Sequence, residues 1–277
     1  MTGVVAIVGV AICLSATMAW AWLMALWTGR SGWIDAIWSF ATGLFGAALA
    51  LIPMGDDALT HRQLLVAAMA LFWSLRLGIH ITMRTLSGGE DPRYTQLRVE
   101  WGRGYKARLF WFLQIQALAA LVLALSIMIA ARNPMPGLTL GDGTGVALLA
   151  AAIMGEAVAD RQLSRFRSDP LNTGKICDTG LWRYTRHPNY VFEWLVWVAY
   201  AVIAIDLTGN YPQGWLAFAG PFLMYWLLVH ASGIPPLEAH MVRSRGDAFR
   251  AYQRRVNAFW PGLPKGDGAS QDNGDSR

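Results

Sequence analysis

Charge is what this sequence has least of. Only 15% of its 277 residues are Asp, Glu, Lys or Arg, against 55% hydrophobic ones, a balance too apolar for a soluble domain of this length. Part of its solvent is therefore lipid. Cysteine is scarce too: Cys13 lies in the first apolar run and Cys177 in a polar connection. That placement offers neither a disulfide framework nor a metal site, and no metal is expected. No GxGxxG or Walker-type phosphate loop occurs, which excludes a separate soluble nucleotide-binding domain, so any cofactor must bind among helices. The net charge of +5 does not signal nucleic acid, because bases gathered between apolar runs follow from membrane topology.

What is there is apolar length. A membrane crossing takes about 20 mainly apolar residues, and seven stretches answer to it: 3–28, 34–53, 63–83, 109–131, 143–160, 190–207 and 213–232. The 14 Trp residues suit the boundary between hydrocarbon and headgroups. No basic residue precedes the first run, which also exceeds a signal-peptide core, so it is expected to be a retained helix. Placing the N-terminus outside puts 20 of the 23 Lys and Arg on the cytoplasmic side, as the positive-inside rule requires. The expected fold is an all-α, polytopic membrane helical bundle of about seven transmembrane helices, N-terminus outside and C-terminus cytoplasmic. It is expected to form one domain over 1–265, followed by a disordered tail over 266–277.

Function is expected in the long polar connections. The segment 161–189 brings Arg161, Arg165, Arg167, Lys175, Arg183 and Arg186 together with His187 and Asn189. Guanidinium groups bind phosphate bidentately and a lysine adds a point charge, so a phosphorylated cofactor is a natural ligand; attraction to anionic lipid headgroups is the plain alternative. Asn189 and Glu193 are one helical turn apart behind Pro188, and a Glu inside a membrane helix marks a functional position.

The run GLWRYTRHPNYVFEW, Gly180 to Trp194, resembles the C-terminal signature of the steroid 5-alpha-reductase-like family, particularly its bacterial branch. Supporting blocks are LRLGIHITMRTLSGGEDPRY ending at Tyr94, GEAVADRQLSRFR, and SGIPPLEAHMVRSRGDAFRAYQRRVNAFWPG. The resemblance implies a bacterial cell-membrane protein that holds NADPH from the cytoplasm, with Asp160, Arg167, Lys175, Tyr184, Asn189, Glu193, Trp197, Glu238, Tyr252 and Arg255 at contact positions. It implies reduction of a carbon-carbon double bond conjugated to a carbonyl, in a lipophilic, steroid-like substrate entering from the bilayer. The element RHPNY also resembles isoprenylcysteine and phospholipid methyltransferases, which bind S-adenosylmethionine. That cofactor carries no phosphate, so the surplus of arginine favours NADPH.

Adding hydride beta to a carbonyl leaves an enolate whose oxygen needs a hydrogen-bond donor. The family's Glu and Tyr pair is not plainly kept; the position aligned to its tyrosine is Trp73. The nearest candidates are Asp35, His80 and Tyr94. Asp35 also suits the start of a helix as a cap, His80 suits a backbone carbonyl, and Arg76 requires an anion such as Asp35 or a phosphate.

Overall fold

The structure, a computed structural model, describes residues 2–53, 58–88 and 92–266. The expected tail and the Glu90–Asp91 part of EDPRY lie outside them, except that the chain is described as far as residue 266. Among the described residues the regular structure is wholly helical: α1 Thr2–Thr28, α2 Gly32–Ala50, α3 His61–Leu86, α4 Pro92–Trp101, α5 Tyr105–Ala131, α6 Leu140–Ser168, α7 Pro188–Ala204, α8 Ala219–Trp226, α9 Ile234–Arg245 and α10 Asp247–Arg255. Six helical stretches among them, 3–28, 32–50, 61–86, 93–131, 140–168 and 212–245, are long and apolar enough to cross a membrane. The expected stretch 190–207 forms α7, which at 17 residues is shorter than these.

Two compact units divide the chain: residues 1–150 with 195–225, and 151–194 with 226 onward. In the first, α2 packs on α1, α3 and α5. Its glycines allow this. A Cβ on Gly43 would stand 2.1 Å from the Cβ of Ser74, and one on Gly78 2.5 Å from the ring of Phe40, so α2 and α3 approach at backbone distance as small residues permit in membrane bundles. Ser74 seals the contact by donating to the Ser39 carbonyl at 2.9 Å. Outward, Ile12, Leu23 and Trp27 of α1 are 65%, 54% and 83% exposed, apolar surface of a kind that faces lipid.

One end of this unit is tied by a buried ion. Arg62 opens α3, which Thr60 and Gln63 begin with a reciprocal capping box. Its guanidinium grips both oxygens of Asp142 at 2.7 Å and donates to the carbonyls of Asn133, Met135 and Gly137 at 2.7 to 2.8 Å. Every donor hydrogen of the guanidinium is thereby used.

The second unit is built around the connection after α6. Its core sets Phe249, Tyr252 and Val256 against Ile176, Met241 and Val242. A tight turn, Gly180–Arg183, is pinned to α6 by Gln162, whose side-chain oxygen accepts from Leu181 N at 2.9 Å, and by Trp182, whose indole donates to the Ala159 carbonyl. Gly180 has φ of +61°, and a Cβ there would lie 2.6 Å from Gln162; glycine meets both demands.

Three expectations change. The helix expected over 213–232 changes winding, with a 3-10 stretch Pro212–Phe218, then α8, then a π-turn Leu227–Ala231. Pro221 has no N–H to give to the preceding turn. The polar connection 84–108 contains α4, because its charged residues keep helical propensity without apolar length. For the same reason α6 runs to Ser168, eight residues past the apolar run.

Candidate active site

The first unit holds a polar cluster in an apolar surround. Asp35 lies in the first turn of α2, where Ser31 precedes the helix without a side-chain cap. Its carboxylate does not cap either. Oδ1 accepts from the Tyr94 hydroxyl at 3.0 Å, and Oδ2 pairs with the Arg93 guanidinium. Tyr94 is 3% exposed. Asp35 and Tyr94, singled out separately in the sequence, are therefore brought together. Arg93 supplies the cation for which Arg76 had been the sequence's candidate. His80 is exposed on α3. Trp73 and Trp197 are wholly buried and meet edge to face at 5.0 Å. Gln116, whose side-chain oxygen is buried without a hydrogen bond, escaped the sequence reading; its signal, shared with Gln114, was a polar residue inside a 27-residue apolar helix.

In the second unit the entrance to α7 is clasped. Arg186 grips Glu238 through Nε at 2.7 Å and Nη2 at 3.0 Å, and donates through Nη1 to the carbonyls of Gln253 and Val256. His187 Nε2 donates to Glu238 Oε1 at 2.9 Å, and Gln253 completes the carboxylate at 2.7 Å. Thr185 donates to the carbonyls of Ala258 and Phe259, and Tyr252 to that of Trp182. Arg186, His187, Glu238 and Tyr252, expected at ligand contacts, thus face inward and frame the segment: burying a guanidinium demands acceptors, and the nearby carbonyls and carboxylate provide them.

Burial holds His187 below the ordinary imidazole value of 6.5, against the upward pull of Glu238 and with help from Arg186. As pH falls, the unfolded chain then binds a proton first, so stability is full above about 6.5 and declines below it. The apparent melting temperature of detergent-purified protein is expected to drop between pH 7.5 and 5.5, and His187→Gln to flatten that drop. An unchanged slope in the variant would remove His187 as its source.

Other polar residues of this unit differ in exposure. Arg167, Lys175, Arg183 and Tyr184 are exposed, Asp160 is half-buried on α6 and Glu193 is buried in α7. A cavity of about 330 Å³ is lined by Asp178, Thr179, Gly180, Arg183, Arg255, Val256 and Pro264, with Arg255 and Asp178 paired across 3.1 Å. Asn189 Oδ1 is buried and accepts no hydrogen bond, a costly state that a donor on a bound molecule would relieve. Arg183 and Arg255 at this cavity offer positive charge suited to a phosphate, and the Asn189 oxygen suits an N–H or O–H donor.

The family described as "Protein of unknown function (DUF1295)" matches residues 21–256. The chain belongs to the DUF1295 family. This family has steroid 5-alpha-reductase-like relatives. An uncharacterised protein of Schizosaccharomyces pombe is 24% identical to this DUF1295 chain over 271 residues, which is 87% of the chain and 76% of the relative. No solved structure matches. Each polar cluster described here lies at least partly inside the span the family covers.

Proposed function

We propose that this protein is an NADPH-dependent membrane reductase that saturates a carbon-carbon double bond conjugated to a carbonyl in a lipophilic, steroid-like substrate taken from the bilayer. The observation that carries the reading is the Tyr94 hydroxyl on the Asp35 carboxylate, a proton-donor pair between helices of an apolar bundle. When bound, NADPH would contribute the hydride at the carbon beta to the carbonyl, and the alpha carbon would take its proton from water as the resulting enol leaves the site. The protein supplies the donor at the carbonyl oxygen. Tyr94 presents a neutral O–H beside an acceptor, and rotating that hydrogen about the C–O bond turns it from Asp35 toward a substrate oxygen without moving a heavy atom. Asp35 takes acceptor bonds on both oxygens, so it orients the phenol rather than donating, and Arg93 balances its charge when the phenol proton turns away. Burial of Tyr94 keeps its hydroxyl from being shared with water.

Cofactor binding is assigned to the second unit, with Arg167, Lys175, Arg183 and Arg255 toward phosphate and Asn189 toward a donor group. Equilibrium binding of NADPH, NADH and S-adenosylmethionine to purified protein tests this. NADPH is expected to bind tightest, and Arg167→Ala to weaken it about 10-fold or more, as removal of a charged hydrogen bond does. Binding of S-adenosylmethionine alone would replace the reductase with a methyltransferase.

The proposed topology has seven crossings, α7 among them, with the N-terminus outside and the C-terminus in the cytoplasm of a bacterial cell. It is supported by the distribution of Lys and Arg. A C-terminal alkaline phosphatase fusion is expected to be inactive and a C-terminal fluorescent protein to glow; the reverse pattern would invert the orientation.

A further inference from the structure

Two bonds set the height of α1 against α5. The Trp22 indole donates to the Lys106 carbonyl at 2.9 Å, and the Ser15 hydroxyl to the Gln114 side-chain oxygen at 2.7 Å, so the helices run antiparallel with residues 22 and 106 at one level. Trp27, farther along α1, and Trp111, farther along α5, then stand about 7–8 Å to either side of that level at the helical rise of about 1.5 Å per residue. They are 83% and 68% exposed. Exposed indoles favour the boundary between hydrocarbon and headgroups, which puts the start of α5 in the layer where lipid phosphates lie. Three exposed bases share that layer: Arg103, Lys106 and Arg108. Glu100, the one carboxylate between residues 92 and 111, is engaged by Gln96 at 2.5 Å. Among the described residues no carboxylate pairs with the three bases. Arg108 does not spread into hydrocarbon. Its Nε lies 3.5 Å from the position a Cβ on Gly104 would take, so the side chain folds back past Gly104, the residue next to Arg103, as a snorkelling arginine does. On the same face below it follow Trp111, Ile115 and Leu118, all exposed, at the three- and four-residue spacings that make one stripe of a helix. The stripe is a length of apolar surface headed by cations.

We propose that this junction of α4 and α5 is a binding site for an anionic phospholipid, whose phosphate is taken by Arg103 and Arg108 and whose acyl chain lies along Trp111, Ile115 and Leu118. Lys106 adds charge at the same level. Guanidinium groups suit the phosphate because they bond its oxygens two at a time. An anionic headgroup is preferred over a zwitterionic one, which would return a positive charge to a place that already holds three. The site shares no residue with the Asp35–Tyr94 pair or with the cavity at Arg255, and it stands whatever reaction the protein carries out.

The test reconstitutes the full-length protein in nanodiscs of equal parts phosphatidylcholine and phosphatidylglycerol, and identifies by native mass spectrometry the first lipid that stays bound on release. Phosphatidylglycerol is expected to exceed phosphatidylcholine at least about fivefold, the preference that one base near the surface provides. The double substitution Arg103→Gln, Arg108→Gln is expected to lower that ratio at least about threefold, and Arg108→Gln alone about twofold, which keeps the test open if the double variant folds poorly. A charge-matched control, Arg245→Gln with Arg254→Gln on α9 and α10, is expected to leave the ratio as it is. Soluble glycerol phosphate added in excess is expected not to displace the lipid, because it lacks the chain that the stripe holds. Equal retention of the two lipids by the native protein, a ratio unchanged in both variants, or an equal loss in the control overturns the inference. So does displacement by glycerol phosphate, which would assign the bases to a soluble phosphate instead.

Discussion

Tyr94→Phe is expected to lower NADPH-dependent turnover of an enone by about 10²–10⁴-fold, the range that a positioned acid or base contributes, with NADPH affinity unchanged. The substitution keeps the ring, so the packing of a residue only 3% exposed survives and the effect isolates the hydroxyl. Asp35→Asn should lower turnover less, because the amide oxygen still accepts from Tyr94 while the charge that pairs with Arg93 is gone. The order of the two effects matters: if Asp35 were itself the donor, Asp35→Asn would be the more damaging change. Single-turnover kinetics with saturating NADPH make the comparison, and normal rates in Tyr94→Phe would dismiss the phenol from the chemistry.

Arg62→Leu is expected to destabilise the protein by about 3–5 kcal/mol, the cost of leaving a buried carboxylate without its partner. Arg62 and Asp142 are 3% and 1% exposed, so water does not screen the loss. The Arg62→Leu, Asp142→Leu double substitution should recover part of the stability by removing the orphaned charge, although the carbonyls of Asn133, Met135 and Gly137 remain short of donors. Thermal unfolding in detergent of the single and double variants decides it, and a double variant no better than the single one would mean that capping carbonyls, rather than pairing charge, is the main role of Arg62.

Apolar length was legible in the sequence because lipid imposes it: the expected stretches 34–53, 63–83 and 109–131 fall within or beside α2, α3 and α5. The positions of Asp35 and Tyr94 were legible as polar residues near apolar helices. Their pairing was not, because the partners are separated by 59 residues and nothing in the periodicity of either helix sets the angle at which they cross. Gln116 was missed for a related reason. Gln114 and Gln116 are two amides in an otherwise apolar stretch of α5, and neither belongs to a motif. The clasp was not legible either, because Arg186 meets Glu238, 52 residues on, and no local pattern in RHPNY announces that partner. Exposure separates Arg167 and Lys175 from Arg186 more clearly than residue type does.

The clasp also sets an order of events in biogenesis. Arg186 and the carbonyl of Val256 are 70 residues apart, and α7 and α8 lie between them. Those two apolar helices must be delivered to the bilayer before Arg186 can find its acceptors, since a loop of that length closes only once its ends are brought near. Until then the RHP turn carries an unneutralised guanidinium at the mouth of a helix. The last polar bonds to form are therefore ones that tie down the segment assigned to hold the cofactor, so binding competence becomes a late checkpoint that a chain stalled before Val256 would never reach.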